Sequence, residues 1–265
     1  AAPQPPKYIP SSQWGNNFTY KYDPPAEMTP ASVDAVVIVV NPSYREEESA
    51  LMNRTYSKVG KGFSTSMGVD MDKVIIGKGM TSKGPFPSLD EITYSDKKMS
   101  DLTFVPKVFV TTEIKYLGAP RVEHNYLHEG ITISVITKDF EMIVGGWVSF
   151  VMQEPLSGQK MWIKRLELEE ATVYGKEYHK ATPKYETRSY QTTPVLFMPS
   201  TTEYYKALSG YDPVELLYDG KVDALADAIK DMYPVIMKKC WTYIDTEEIL
   251  SLKEKVKEIR ELKRY

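Results

Sequence analysis

The chain has 265 residues, of which 42% are hydrophobic and 26% are charged. That composition is typical of one large folded domain, or of a domain with a sizeable appendage. The formal net charge of −3 provides no overall positive field, so we predict no nucleic-acid partner. No run of about 18 apolar residues occurs, and the sequence therefore predicts no membrane-spanning helix.

The first 32 residues are rich in proline and in aromatic side chains. The prolines fix the backbone dihedral φ and favour extended geometry, so this segment cannot form a helix. Aromatic residues at this density usually pack on a protein surface. We predict an extended arm at 1–32 that lies on the body of the chain or on a neighbouring subunit. Its candidate partner contacts are Tyr8, Trp14, Phe18, Tyr20 and Tyr22.

The chain begins at Ala1 without an initiator methionine. This start indicates that an upstream segment was removed, and a stiff proline-rich arm suits a tether. One hypothesis is therefore that a lipid-bearing cysteine precedes Ala1 and attaches the protein to a membrane. The mass of the intact native protein would test this hypothesis.

The next segment reads VDAVVIVVN over Val33–Asn41. Consecutive β-branched residues without alternation predict a strand buried on both faces, which Pro42 ends. Residues 44–80 are predicted to be mainly helical at first. Three glycines weaken the later part of that pattern, and Met71–Ile76 is either a last helical turn or a short strand. The glycines are Gly60, Gly62 and Gly68.

Strand patterns dominate the middle of the chain. Short turns between successive runs predict an antiparallel meander, with a hairpin turn at Thr137–Glu141. The double glycine Gly145-Gly146 predicts a bulge or a close backbone approach. Residues 173–200 are interpreted as a long excursion. The predicted strands are Leu102–Tyr116, Ile131–Ile136, Met142–Met152 and Met161–Leu168.

The end of the chain is predicted to be helical. Apolar residues recur at spacings of three and four from Val222 to Ile236, and Pro234 is expected to kink that helix. Asp245 fits an N-terminal cap of a last helix over 246–265. One stripe of that helix is apolar, and we assign partner contacts to Leu252 and Ile259. The predicted domains are the arm 1–32, an α+β body 33–245 and this amphipathic helix, with a mixed or mainly antiparallel sheet packed by helices.

Candidate chemical sites are few. His124 and His128 are four residues apart, a spacing that binds metal only on a helix. Pro120 and Gly130 around them favour a polar hairpin or loop, so we predict no metal site and leave the role of the two histidines open. The sole cysteine, Cys240, is interpreted as a small buried hydrophobe.

No catalytic signature is present in the sequence. The run Gly77–Gly84 has its glycines and lysine in the wrong order for a phosphate-binding loop, and prolines follow where the helix should start. No nucleophile elbow occurs either. We therefore predict a non-enzymatic protein without a cofactor.

Four separated stretches resemble a known family. They are the opening strand AVVIVVNPSY, Ser95–Lys98 before the next strand, the turn Glu154–Gly158, and the closing helices from Asp227 to Lys263. In this order they resemble the neuraminyllactose-binding haemagglutinin family of Helicobacter flagellar-sheath lipoproteins. The resemblance implies an outer-membrane-associated lipoprotein of a Gram-negative bacterium with an α+β body and no enzyme activity. It carries over no sugar site, because the matching segment, TEIKYLGAPRVEH from Thr112 to His124, has no basic cluster.

Two functions from different classes remain open. The arm and the amphipathic stripe favour a structural subunit of an envelope assembly, such as a secretion or flagellar apparatus, with other envelope proteins as partners in an oligomer. The resemblance favours a surface adhesin or ligand-binding lipoprotein. Both predict a periplasmic or cell-surface location at the outer membrane.

Overall fold

A computed structural model describes residues 13–14, 20–25, 28–44, 49–128, 131–181, 185–188, 191–194 and 215–263. The strands are β1 (Val36–Val40), β2 (Ser43–Tyr44), β3 (Thr81–Phe86), β4 (Leu102–Phe104), β5 (Lys107–His128), β6 (Ile131–Gln153), β7 (Lys160–Ala181), β8 (Tyr185–Arg188), β9 (Gln191–Pro194) and β10 (Glu215–Asp219). The helices are α1 (Ser57–Gly77), α2 (Tyr94–Lys98), α3 (Gly220–Tyr243) and α4 (Thr246–Lys263), with 3-10 turns at Ala50–Met52, Arg54–Tyr56 and Leu89–Glu91.

Eight of the strands form one mixed sheet. Its main path runs β10-β7-β6-β4-β1-β3, and β5 pairs with both β6 and β2. Strand β1 is parallel to its neighbours β3 and β4, whereas β4 with β6 and β7 with β10 are antiparallel. Strands β8 and β9 form a separate antiparallel pair. A mixed sheet with packed helices confirms the predicted α+β class.

The chain divides into two compact units. We call Phe18–Thr112, Val144–Ala171 and Ala226–Tyr265 the core unit, and Ala1–Asn17, Glu113–Ile143 and Thr172–Leu225 the strand unit. Strands β5 to β7 and helix α3 contribute residues to both units. The division into the arm 1–32, the body 33–245 and the C-terminal helix 246–265 was made from sequence patterns and not from contacts, and it stays a prediction.

The core unit is built around β1, which is buried on both faces as predicted. Val37, Ile38 and Val39 are inaccessible to solvent, since helices cover one face of the sheet and an apolar cluster containing Ile92 and Val105 packs on Ile38. Phe63 of α1 contacts Tyr233 of α3 edge to face, with ring centroids 5.7 Å apart. Buried aromatic and β-branched side chains therefore supply the main stabilisation of this unit.

Helix α1 continues through the three glycines, so the expected weakening of its later part was wrong. The reason is packing, since at two of these positions a larger side chain would not fit. A Cβ atom on Gly60 would lie 2.7 Å from the carbonyl oxygen of Leu51, and one on Gly68 would overlap the side chain of Asn41. The contacts made by close approach outweigh the low helix propensity of glycine.

The middle strands are longer than predicted. The expected hairpin turn at Thr137–Glu141 was wrong, because β6 is one continuous strand from Ile131 to Gln153. Charged residues suggested a turn here, but in the structure Asp139 forms an ion pair with Arg121 of the neighbouring strand β5. Strand β7 likewise extends to Ala181, into the segment interpreted as an excursion. Strand β3, at Thr81–Phe86, was not predicted.

The C-terminal helices follow the sequence pattern. Asp245 caps α4 as predicted, because its Oδ1 accepts a hydrogen bond of 2.9 Å from the backbone N–H of Glu248. Helix α3 includes Pro234 in its interior. Within the described residues, no helix is both long and apolar enough to span a membrane.

Arg260 of α4 joins the separated stretches that carry the sequence resemblance. Its Nε donates to Glu154 at 3.0 Å, and its terminal nitrogens donate to the carbonyl oxygens of Lys97, Lys98 and Ser100 at 2.9–3.2 Å. These carbonyls lie at the end of α2, where a cation is favoured. The turn that begins at Glu154, the end of α2 and the last helix therefore meet at one side chain.

A second buried contact anchors the segment 20–25. The carboxylate of Asp70 in α1 accepts 2.7 Å hydrogen bonds from the backbone N–H of Tyr22, the hydroxyl of Tyr233 and the ammonium of Lys73. Tyr20 packs beside them against Phe63 and Tyr233. This part of the predicted arm is therefore held on helices α1 and α3 of the core unit.

Candidate functional site

The two faces of the sheet differ within the core unit. Successive side chains of a strand point to opposite faces. On one face, Phe150 of β6 contacts Tyr243 of α3 with ring centroids 6.0 Å apart, and Lys164 of β7 pairs with Glu248 of α4 at 3.6 Å. The alternate residues of β6 and β7 lie on the opposite face.

This opposite face contains a groove of about 450 Å³. All seven lining residues belong to strands β5, β6 and β7, and Lys160 begins β7. Ser149 and Val151 are buried, whereas Ile163 is 54% exposed. The lining combines three cations with apolar and aromatic surface. The lining residues are Lys107, Trp147, Ser149, Val151, Lys160, Ile163 and Arg165.

Three side chains form a stacked row, of which Trp147 and Arg165 line the groove. The rings of Phe109 and Trp147 stack with centroids 5.7 Å apart, and the guanidinium carbon of Arg165 lies 4.3 Å from the centre of the Trp147 ring system. Stacking of this kind orients a guanidinium and leaves its N–H groups available in the ring plane. The row therefore presents a pre-oriented cation to the groove.

Gly146 makes this row possible. Its φ is +136°, and a Cβ atom there would overlap the carbonyl oxygen of Phe109. Only glycine adopts this backbone without strain and permits the close approach of β5 and β6. The close approach predicted from the sequence at Gly145-Gly146 is confirmed, and it brings Phe109 beside Trp147.

The charge of the groove is strongly positive for a chain with a net charge of −3. Within the described residues, Lys107 and Lys160 make no ion pair, and Lys107 is half-buried. Arg165 pairs with Glu167 on the same strand, with 2.5 Å between Nε and Oε1. A bound anion stabilises a partly buried ammonium that has no counter-ion, because an unpaired charge is costly to remove from water. The groove can therefore hold an acidic group beside an apolar surface.

The strand unit contains a second charged cluster, at Glu177. This carboxylate is 2% exposed and accepts hydrogen bonds from the Tyr116 hydroxyl at 3.1 Å and from Lys221, and it shares one of 3.2 Å with Nε2 of His179. Burial by itself raises the pKa of Glu177, but the hydrogen bonds from His179 and Lys221 together with the Lys221 charge lower it to about 2. Because its groups satisfy one another, this cluster is interpreted as structural.

Asp219 belongs to the same cluster. Burial raises its pKa, although the nearby Lys221 ammonium opposes that shift. Its Oδ1 accepts a 3.1 Å hydrogen bond from the backbone N–H of Lys221 in the first turn of α3. The cluster therefore fixes the start of α3 to strands β7 and β10 within the strand unit.

The predicted partner contacts lie at different depths. Tyr8 and Phe18 lie outside the described residues. Trp14 contacts Tyr218 edge to face at 5.7 Å, Tyr20 is buried against the core unit, and Tyr22 is half-buried. Leu252 is buried and Ile259 is half-buried. Contact of these residues with a partner stays a prediction.

His124 and His128 lie near the end of β5, so the segment around them is strand up to His128. The part of the chain that the structure describes contains no group of three or more histidine, cysteine, aspartate or glutamate residues able to hold a metal.

Sequence reasoning missed the groove. Its cations come from strands separated by up to 58 positions, Lys107 to Arg165, and no local motif joins them. The available signal was the alternation within the strands, which puts Trp147 and Ser149 on one face of β6 and Ile163 and Arg165 on one face of β7. Knowledge of the pairing of these strands was needed to combine the two faces.

Comparisons with known proteins show a likeness of fold. No family model matches the chain, and no curated protein sequence matches it. A crystal structure of a neuraminyllactose-binding haemagglutinin homolog from Helicobacter pylori is similar, with a TM-score of 0.52 at 12% identity over 89% of this chain and 99% of that one. The resemblance predicted from the sequence is therefore confirmed as a similarity of fold.

Two further structures match more weakly. Lipoprotein GNA1162 from Neisseria meningitidis has a TM-score of 0.23 at 10% identity, over 66% of this chain and 96% of that one. A minor lipoprotein from Acinetobacter baumannii has a TM-score of 0.20 at 9% identity, over 81% and 95%. At these TM-scores, the two matches add nothing to the comparison of folds.

Proposed function

We propose that this protein is a non-enzymatic ligand-binding protein of the bacterial cell envelope, and that the groove of the core unit binds an acidic glycan. The observation that carries the proposal is the groove itself, which is lined by an arginine stacked on Trp147 and by two lysines that have no ion pair among the described residues. The name of the Helicobacter structure, a neuraminyllactose-binding haemagglutinin homolog, supports an acidic sugar as the first ligand to test.

The chemistry of the groove fits this ligand class. The acid group of a sugar would accept charge-assisted hydrogen bonds from Arg165 and from Lys107 or Lys160. The apolar face of a sugar ring would cover Ile163, which is 54% exposed. Thr112–His124 has no basic cluster, and the groove would instead supply cations from two strands, β5 and β7.

Isothermal titration calorimetry with neuraminyllactose and with lactose tests the proposal, since the two sugars differ by the acidic residue. We expect binding of neuraminyllactose only, weakened by salt because the attraction is partly ionic. The double variant K107A/R165A should bind at least about tenfold more weakly, since it loses two charge-assisted contacts.

The matched control is Lys255→Ala, which removes an exposed lysine of α4 outside the groove. It should bind as the wild type does. Equal binding of lactose and neuraminyllactose, or equal losses in the two variants, would refute the assignment of the groove.

The second candidate function is that of a structural subunit in an envelope assembly. One observation favours it: the apolar stripe of α4 continues past the core to Leu262, which is 84% exposed. The native particle mass after gentle extraction tests this candidate. A large particle with co-migrating envelope proteins would support it, and a monomer or dimer would contradict it.

A further inference from the structure

Arg165 already holds a carboxylate, that of Glu167. The two residues lie two positions apart on β7, so their side chains share the groove face of the sheet. Nε of Arg165 lies 2.5 Å from Oε1 of Glu167. The same guanidinium is fixed against Trp147 at 4.3 Å. A carboxylate of this chain therefore occupies one hydrogen-bonding edge of the cation that an acidic ligand needs.

We propose that Glu167 is an internal competitor for the ligand, and that the acid group of the ligand displaces it from Arg165. This inference rests on the proposed function, since it concerns the same groove. It assigns two roles: Arg165 recognises the acid group, and Glu167 limits the affinity and sets which ligands bind.

The geometry makes displacement easy. The Glu167 side chain is 69% exposed and that of Arg165 is 49% exposed, and ion pairs at this exposure are weak. Release of Glu167 leaves Arg165 in place, because the stack on Trp147 does not depend on it. An incoming carboxylate or phosphate can then bind the planar guanidinium through two parallel hydrogen bonds.

Competition also has a consequence for selectivity. A ligand with one weakly placed acid group gains little, because it exchanges one carboxylate for another at Arg165. A ligand whose acid group also reaches Lys107 or Lys160 gains contacts that Glu167 does not satisfy. Glu167 therefore favours ligands that bridge Arg165 and a groove lysine over ligands that contact Arg165 alone.

The test compares Glu167→Gln with Glu169→Gln in calorimetric titrations with neuraminyllactose. Glu169 is an exposed residue two positions further along β7, so its substitution removes the same charge from the same strand without freeing Arg165. We expect Glu167→Gln to bind about two- to fivefold more tightly than the wild type, in line with a weak exposed ion pair. Glu169→Gln should leave the Kd unchanged within about 1.5-fold.

A third comparison identifies the route of the effect. In an Arg165→Ala background, Glu167→Gln should no longer change the Kd, because the cation that it frees is absent. Unchanged or weaker binding by Glu167→Gln alone, or the same gain in both backgrounds, would overturn the inference while the proposed function stands. Absence of neuraminyllactose binding by the wild type and Glu167→Gln alike would instead refute the proposed function.

Discussion

The two units of this protein use charged side chains in opposite ways. In the strand unit, Tyr116, His179 and Lys221 converge on one buried carboxylate, Glu177, and satisfy it. In the core unit, the groove contains cations that the described residues leave largely without counter-ions. The difference teaches that a charged cluster indicates a binding site when its charges are unmatched, and a structural role when they match.

Breaking the matched cluster should have the largest effect on stability. Glu177→Gln leaves the ammonium of Lys221 without its main partner, so we expect a loss of roughly 3 kcal/mol in the free energy of unfolding. Urea denaturation followed by circular dichroism measures it. The exposed Glu169→Gln should change stability by less than about 0.5 kcal/mol, and a similar small change in Glu177→Gln would contradict the structural interpretation.

The matched cluster also predicts how stability depends on pH. The pKa of Glu177 is lowered to about 2 in the folded protein, below its ordinary value near 4.5. The stability from this ionised carboxylate is therefore complete above about pH 4.5 and is lost as the pH falls from there towards 2. Its size is about 3 kcal/mol.

Thermal unfolding of the wild type and of Glu177→Gln between pH 2 and 6 checks this expectation. The difference in Tm between the two proteins should shrink as the pH falls through that window. A difference in Tm that stays constant with pH would show that the Glu177 charge does not contribute to stability. The raised pKa of Asp219 acts in the opposite sense, so protonation of Asp219 partly offsets the loss.

A single buried hydrogen bond of the core unit should have a smaller effect. Tyr233→Phe removes the hydroxyl that donates to Asp70 and keeps the ring contacts, so we expect a loss of about 1 kcal/mol. Limited proteolysis adds a second readout, because the segment 20–25 should be cut faster. Tyr243→Phe is the matched control on the same helix, and equal effects of the two substitutions would contradict a specific role of the Asp70 contact.

Changes to the unmatched cluster should have the smallest effect on stability. Arg165→Ala removes a half-exposed side chain, so the free energy of unfolding should change by less than about 1 kcal/mol, mainly through the lost stack on Trp147. Binding of neuraminyllactose should nevertheless fall about tenfold or more. Parallel denaturation and titration measure the two effects, and a large loss of stability would make Arg165 structural.

Sequence patterns predicted the parts of the fold that depend on local regularity. The unbroken β-branched run of β1, the cap at Asp245 and the close approach at Gly146 each follow from one short segment. The patterns failed where contacts with other segments of the chain determine the local structure. Gly60 and Gly68 are tolerated in α1 because of Leu51 and Asn41, and Asp139 remains in a strand because Arg121 lies opposite.

The candidate site was beyond sequence reasoning for the same reason. Each groove cation is an ordinary residue of an alternating strand, and only the pairing of β5, β6 and β7 brings Lys107, Trp147 and Arg165 together. The sequence also gave no means of separating this cluster from that of Glu177. The distinction depends on which charges are buried and paired, a property of the folded chain alone.

The anchoring of Tyr22 has a mechanical consequence. Because its backbone N–H is bound to a carboxylate that also holds Lys73 and Tyr233, tension applied through the chain ahead of Tyr20 reaches helices α1 and α3 directly. A force from that side must first break the hydrogen bonds to Asp70 and pull the Tyr20 ring out of its contacts with Phe63 and Tyr233. Only then does it act on the sheet, so the segment 20–25 protects the sheet from force applied at its N-terminal side.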